Sequence, residues 1–252
     1  MQSDSMSPAA KVPEVTLVFW LIKIAATTLG ETGGDAVSMS MNLGYLVATG
    51  IFAVIFVIAV AAQIKSRRFH PFLYWVTIIA TTTVGTTLAD FADRSLGIGY
   101  AGGASLLLAL LIASLGVWHR SEGTIAVSTV ESPKVEMFYW VTIMSSQTLG
   151  TALGDWTADS AGLGYFGSTL LFLGLLAGVA AAYFWTRISR TALFWTAFVL
   201  TRPLGAVVGD FFDKAHADGG LGLSRYTASG VLLVFIVVSI LLFKQRPARQ
   251  GH

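Results

Sequence analysis

The sequence contains no cysteine and only four histidines. Disulfides, thiolate metal sites and a cysteine nucleophile are therefore excluded. The histidines fall in predicted loops or at the C-terminus, which argues against a zinc or copper centre. The chain also has no glycine-rich phosphate loop, so the sequence predicts neither a nucleotide site nor ATP-driven transport by this chain alone.

Charged residues are scarce as well. They make up 12% of the 252 residues, hydrophobic residues make up 54%, and the mean hydropathy is +0.70. A water-soluble domain is far less apolar, so the composition predicts an integral membrane protein whose main partner is the lipid bilayer. The net charge of +2 does not indicate a nucleic-acid partner. Residues 1–14 lack the pattern of a signal peptide, so we expect the first helix itself to direct insertion.

A single pattern occurs four times along the chain. In every copy a tryptophan is followed by a glycine ten residues later and by an aspartate fifteen residues later, without a gap. The tryptophans are Trp20, Trp75, Trp140 and Trp195, the glycines are Gly30, Gly85, Gly150 and Gly205, and the aspartates are Asp35, Asp90, Asp155 and Asp210. Chance spacing would almost never give this agreement, so the sequence predicts a fourfold internal repeat.

Apolar runs of about twenty residues predict eight transmembrane helices, two in each repeat. The predicted spans are 15–36, 43–64, 72–92, 98–118, 137–157, 163–185, 192–212 and 227–243. The predicted fold class is an all-α polytopic membrane protein, whose even number of spans per repeat keeps the copies parallel, with pseudo-symmetry about the membrane normal. The parts are a polar N-terminal tail at 1–14, repeats at 15–65, 71–120, 135–187 and 191–244, a cytoplasmic linker at 121–134 and a basic C-terminal tail at 245–252. They form one membrane domain of two homologous halves.

Basic residues are unevenly distributed between the two kinds of connection. The termini and the connections between repeats hold eleven lysines and arginines, whereas the turns within repeats hold three. By the positive-inside rule, both termini and the between-repeat connections are predicted to lie in the cytoplasm.

The repeat also resembles a known family. The segments FWLIKIAATTLGETGGD, YWVTIIATTTVGTTLAD, YWVTIMSSQTLGTALGD and FWTAFVLTRPLGAVVGD are each followed by a second span. Together they resemble the bacterial membrane proteins built from four copies of a two-helix, tryptophan-containing repeat of unknown function, over about residues 15–243. The resemblance implies eight membrane passes and a location in the bacterial cytoplasmic membrane. It implies no established activity.

The candidate functional residues are mainly carboxylates near the end of each first helix. Steps of three and four residues place them with hydroxyl groups on one helical face. The predicted ion path consists of Glu31, Asp35, Asp90, Asp155, Asp210, Asp93, Asp159, Asp213, Thr28, Thr83 and Thr148. Converging carboxylates would concentrate cations, and hard oxygen ligands match magnesium, manganese, calcium or protons. The four repeated aspartates are the predicted metal ligands, with a divalent cation bound as cargo and no resident cofactor.

Two cations interrupt the predicted spans. Lys23 lies three residues after its tryptophan, and Arg202 lies seven residues after its own, where the other copies have Thr27, Thr82 and Gln147. Buried charges in a membrane need partners. Lys23, Arg202 and Gln147 are therefore interpreted as an inner gate or counter-ion, or as a structural pairing with Glu31 or a repeated aspartate.

The remaining repeated positions predict packing and anchoring. Each repeated glycine is followed four residues later by glycine or alanine, and such a face lets helices approach closely in lipid. We therefore expect the four first helices to pack around one another, with the second helices outside them. The tryptophans are predicted to anchor the helices at the membrane interface.

These features favour a non-enzymatic membrane transporter or permeation pathway for a hard cation, in which protons or Arg202 compete with the ion for the carboxylates. Three alternatives remain at this stage. The protein is a sensor or scaffold that transports nothing; it is an intramembrane aspartyl protease, weakly indicated by Gly-Asp pairs such as Gly154–Asp155; or its aromatic residues bind a small organic cation.

Overall fold

The computed structural model describes residues 10–66, 68–95 and 99–248. Within these residues the chain forms eight long helices, and strand pairing is limited to one isolated bridge between Pro13 and Pro247. The helices are α1 (Leu17–Asp35), α2 (Tyr45–Lys65), α3 (Pro71–Asp90), α4 (Tyr100–Glu122), α5 (Pro133–Asp155), α6 (Gly164–Trp185), α7 (Arg190–Asp213) and α8 (Arg225–Leu242). The predicted all-α class with two helices per repeat is confirmed. Arg67 and the predicted tail residues 1–9 and 249–252 lie outside the described residues.

The eight helices form two concentric layers. The inner layer is a bundle of the four first helices, in which α1 and α5 each contact both α3 and α7. Each second helix packs mainly on the first helix of the following repeat: α2 on α3, α4 on α5, α6 on α7, and α8 back on α1. The second helix of each repeat therefore covers the first helix of the next repeat, and the second helix of the last repeat covers α1.

The distribution of apolar surface is that of a multi-pass membrane protein. Six helices are long and apolar enough to cross a membrane, namely α2, α3, α4, α6, α7 and α8. Only 11% of the apolar window of α2 is buried inside the protein, against 72% for α3, so the outer helices present apolar side chains outward. Although α1 and α5 are not among the six, they lie beside α3 and α7 in the inner layer. There their polar side chains face protein rather than lipid.

The two ends of the bundle differ. We call the end that carries residues 10–14 and 243–248 the terminal end, and the end that carries the turns within repeats the turn end. At the turn end, Gly44 and Gly99 directly precede α2 and α4 with φ of 77° and 78°. This left-handed conformation favours glycine, which explains why these short turns keep it.

Aromatic residues fill the terminal end of the bundle. This aromatic layer consists of Phe19, Tyr74, Trp75, Trp118, Tyr139, Trp140 and Trp195. Its rings meet largely edge to face, with centroids 5.8 Å apart for Trp118 and Trp195, and the hydroxyls of Tyr74 and Tyr139 are 2.6 Å apart.

The position of the repeated tryptophans corrects a prediction from the sequence. Trp75, Trp140 and Trp195 are at most 5% exposed, so they are core residues rather than membrane anchors, and Trp20 is half-buried against Phe194. The physical reason is that the four first helices converge at this end, so their aromatic side chains pack on one another, and such ring pairs are favourable beyond the area they bury.

A short strap of residues 10–14 lies against the aromatic layer at the terminal end. Val12 is buried in the same cluster as the aromatic rings. The backbone of the strap hydrogen-bonds to the linker through Lys11 N and Val130 O, and to the C-terminal segment through Glu14 N and Arg246 O. The predicted polar tail is therefore partly a structural element.

Lys11 fixes this strap by a buried ion pair. Its Nζ lies 2.5 Å from Glu136 Oε1 and also donates to the carbonyl oxygens of Gln63 and Ile64 at the end of α2. The ammonium group thus satisfies carbonyls that a helix end leaves without a partner. One side chain joins the strap, α2 and α5.

We expect Lys11→Met to destabilise the protein by about 3–5 kcal/mol, because Glu136 would remain buried without a counter-charge. Thermal unfolding in detergent would measure this loss. The matched control is Lys134→Met, because Lys134 is 66% exposed and pairs with Glu122 at 2.8 Å, and solvent screening should leave stability almost unchanged there. Equal losses in the two variants would contradict the assigned role of Lys11.

Candidate functional site

The repeated glycines bring the inner helices into contact in a cyclic order. Each one faces the residue seven positions after the tryptophan of the next repeat. The pairs are Gly30 with Thr82, Gly85 with Gln147, Gly150 with Arg202, and Gly205 with Thr27. A Cβ atom on Gly205 would lie 2.5 Å from Thr27 Cβ, closer than real side chains approach. The small residues thus lie at the contacts between the first helices, as expected from the sequence.

One helical turn beyond the repeated glycines, the same helix faces contact the residues that stand eleven positions after the tryptophan of the next repeat. Gly34 faces Thr86, Gly154 faces Ala206, and Gly209 faces Glu31. All of these side chains are buried, so the four copies converge on the axis of the bundle at one depth. The identity of the four residues at this depth therefore determines the chemistry of the centre.

Arg202 is the hub of this centre. Its Nη2 lies 2.9 Å from Glu31 Oε2 and donates to the hydroxyl of Thr86 at 2.6 Å and to that of Thr151. These three partners occupy the same position in repeats one, two and three, while the small Ala206 occupies it in the fourth. The guanidinium is 0% exposed. Sequence reasoning named the pair with Glu31 as one alternative, and the structure contains that pair.

Lys23 lies nearby without a carboxylate partner among the described residues. Its Nζ is 3.4 Å from Gln147 Oε1 and 4.1 Å from the ring centroid of Phe198. Such an arrangement combines a weak hydrogen bond with a cation–π contact. The predicted group of Lys23, Arg202 and Gln147 is therefore brought together in space.

The four repeated aspartates lie nearer the turn end and form two cation-bridged pairs. Arg94 lies between Asp90, at 2.9 Å, and Asp155, at 3.8 Å. Lys214 lies between Asp35, at 3.2 Å, and Asp210, at 3.0 Å. The carboxylates that were predicted to converge are thus bridged by cations of the protein itself.

The pair of Asp35 and Asp210 lies beside a third carboxylate, Asp213, and a second cation, Arg225. Arg225 Nη2 lies 3.7 Å from Asp35, and Arg225 Nε lies 2.6 Å from Asp213. Lys214 follows the last residue of α7. Burial lowers the pKa of Lys214, but Asp210, Asp35 and Asp213 outweigh burial and raise that pKa above its ordinary value. Lys214 is therefore held in its charged form.

Local backbone geometry helps to place the aspartates. In the first three repeats the α-helix ends at the aspartate and continues as a π-helical turn, at Ala36–Ser40, Phe91–Ser95 and Trp156–Ser160. In the fourth repeat α7 instead continues to Asp213. A π-helical turn widens the helix and is common at functional sites. Here it follows directly on the buried carboxylate in three copies.

Carboxylate oxygens converge in two overlapping groups within the described residues. In each group the oxygens lie within 4.8 Å of one another: Glu31, Asp35 and Asp90 form one group, and Asp35, Asp210 and Asp213 form the other. Asp35 is shared, and its Oδ1 has no hydrogen-bonding partner in the part of the chain that the structure describes. The acidic cluster is consequently asymmetric about the axis.

Other residues predicted for the ion path lie outside this cluster. Thr28, Thr83 and Thr148 donate to carbonyl oxygens four residues earlier in their own helices, at 3.0, 2.8 and 3.0 Å. Asp159 is exposed and accepts from the Tyr100 hydroxyl at 3.4 Å, and Asp93 lies against Gly103. The hydroxyls of these threonines are therefore used within their own helices.

The predicted ion path and gate did not include five residues that complete the site, which are Thr86, Thr151, Arg94, Lys214 and Arg225. The threonines stand at the same repeat position as Glu31, which is a signal visible in the sequence. The three cations lie in or beside the turns within repeats. In the sequence they served only to predict topology, as the few basic residues on the side away from the cytoplasm. Lys214 and Arg225 belong to the long fourth turn, the one that departs most from the repeat.

The architecture and the buried ionic centre define a class: a helical multi-pass membrane protein of four parallel two-helix repeats. The family model for the repeat of unknown function DUF347 matches residues 18–69, 73–124, 138–189 and 193–246. The chain belongs to this family, and the resemblance noted from the sequence is confirmed. Comparison with curated proteins and with solved structures finds no match.

Gly205→Ala should destabilise the protein by about 1–3 kcal/mol, because the added methyl group would overlap Thr27. Thermal unfolding in detergent would measure the effect. Gly116→Ala is the control, because Gly116 lies inside α4 with no atom within 4 Å of its added Cβ, so its helix propensity alone should change. If Gly205→Ala were as stable as Gly116→Ala, close helix approach would not explain the repeated glycine.

Proposed function

We propose that this protein is a membrane transporter or permeation pathway for a hard cation, either a divalent ion such as manganese, magnesium or calcium, or an ion exchanged for protons. The path follows the axis of the inner bundle formed by α1, α3, α5 and α7. We further propose that the protein lies in the bacterial cytoplasmic membrane with both termini in the cytoplasm, because basic residues concentrate in the between-repeat connections.

The observation that carries this proposal is the cluster of buried carboxylates around Asp35. Ionisable residues inside a membrane bundle are costly and commonly mark an ion path. Three carboxylate oxygens within 4.8 Å of one another could bind a single cation together, and oxygen is the ligand that hard cations prefer. The unpaired Oδ1 of Asp35 supplies a ligand that the protein's own cations do not use.

The bridging cations suggest how binding and release would be coupled. Lys214 occupies the space between Asp35 and Asp210, 3.2 and 3.0 Å from their carboxylate oxygens, and so forms an ion pair with each. A cargo cation would have to displace this ammonium group to reach both aspartates. Since Lys214 is on a turn beyond α7, its side chain can move without moving a helix. Displacement keeps the total charge of the site nearly constant and so lowers the electrostatic cost of transfer.

A scaffold or sensor without transport is the second candidate. It is favoured by the pairing of every repeated aspartate with a basic side chain, and by the strap of residues 10–14 across the terminal end. In that case the ion pairs serve only to hold the repeats together. An aspartyl protease is disfavoured, because the aspartates of each pair share a cation rather than a proton.

Asp35→Asn should abolish most cation flux, because it removes the carboxylate shared by both groups. The measurement is uptake of manganese, magnesium, calcium and protons by liposomes that contain the purified full-length protein. Asp159→Asn is the matched control, since this aspartate is exposed, and its flux should equal that of the unaltered protein. Flux unchanged in folded Asp35→Asn would refute the path, and absence of any flux in the unaltered protein would favour the scaffold.

Lys214→Met should lower the cation concentration needed for half-maximal flux by about tenfold, because the ion would no longer compete with a hydrogen-bonded ammonium group. The same liposome assay measures this change. Lys244→Met, which removes an exposed lysine beyond α8, should leave that concentration unaltered. An unchanged or higher half-maximal concentration in Lys214→Met would contradict displacement as the coupling step.

A further inference from the structure

Around Arg202 and Lys23, buried positive charge exceeds buried negative charge. Lys23 and Arg202 are both 0% exposed and close enough to interact electrostatically, while among the described residues Glu31 pairs with Arg202 alone. Glu31 contacts Arg202 Nη2, and Lys23 contacts an amide and an aromatic ring instead. A buried ammonium beside a guanidinium either acquires a counter-ion or loses its proton.

Buried hydrogen-bond donors without acceptors occur at the same place. Nε and Nη1 of Arg202 and Nε2 of Gln147 have no hydrogen-bonding partner within residues 10–66, 68–95 and 99–248. Both side chains are 0% exposed. Buried donors in proteins are almost always satisfied by protein, water or an ion, and an unsatisfied donor costs about 1–3 kcal/mol, more when it is charged.

These donors belong to one short stretch of the bundle. Gly150 on α5 lies directly against Cβ and Cγ of Arg202, and Gln147 precedes this glycine by less than one helical turn. The Gln147 amide also accepts from Lys23. Arg202 and Gln147 therefore both belong to the contacts of the same short segment of α5, and the ammonium of Lys23 lies at the oxygen of the Gln147 amide.

We propose that a small monovalent anion of halide size binds at this cluster, in contact with Arg202 and Gln147 and paired with Lys23. An anion accepts hydrogen bonds from all directions and supplies the missing negative charge. Water would satisfy the donors but not the charge. A neutral Lys23 would reduce the charge but would leave Nε and Nη1 of Arg202 without acceptors. This site is separate from the carboxylate cluster, and its occupancy does not depend on transport.

Chloride binding to the full-length protein in detergent tests this proposal. The ³⁵Cl NMR line width is measured while chloride replaces gluconate at constant sodium concentration. We expect saturable broadening that bromide reverses. Gln147→Met keeps the size of the side chain and removes its donor, so chloride affinity should fall about tenfold, the effect of one hydrogen bond to a charged group. Thr148→Val is the control, since that hydroxyl bonds within its own helix.

The outcomes are distinct. Broadening no greater than that of detergent alone would mean that water fills the site, and it would overturn the proposal. Equal chloride affinity in Gln147→Met and Thr148→Val would place the anion elsewhere and would also overturn it. Should Gln147→Met fail to fold, bromide-containing crystals of the unaltered protein decide: an anomalous peak beside Nη1 of Arg202 supports the site, and its absence there refutes it.

Discussion

The contact of one guanidinium with three repeats is the interaction on which the rest of this structure depends. Arg202 reaches Glu31, Thr86 and Thr151 only because the inner helices approach closely through their glycines. A buried charge is expensive, so its partners must stay in place once it is buried. The centre thereby fixes the relative depth of all four repeats.

A fourfold repeat cannot make an asymmetric site by copying alone. Positions on the axis of the bundle meet their own equivalents, and four like charges at one depth repel one another unless opposite charges lie between them, as Arg94 and Lys214 do at the aspartates. The copies therefore differ where they meet: one position holds a carboxylate, two threonines and an alanine, and another holds an arginine, a glutamine and two threonines. The candidate site combines these departures with the shared aspartates, while the shared glycines shape the helix contacts.

The polar residues are layered along the axis. From the terminal end to the turn end, the bundle contains the aromatic layer, then the level of Lys23 and Gln147, then Glu31 with Arg202, and last the repeated aspartates with their bridging cations. Within two of these levels opposite charges are paired, Glu31 with Arg202 and the aspartates with Arg94 and Lys214, which reduces the cost of keeping charge in a membrane.

The sequence by itself determined the four repeats, the helical membrane class and the layering of first and second helices, because hydropathy and spacing act locally along the chain. The fixed spacing also predicted that the four aspartates lie at one depth and that Glu31 lies about one helical turn before them. The tertiary structure alone decided that Arg94 and Lys214 bridge the carboxylate pairs, that Trp75, Trp140 and Trp195 are core residues, and that each second helix packs on the next repeat. Those outcomes depend on which surfaces meet between distant segments, and periodicity within one helix carries no information about its partner.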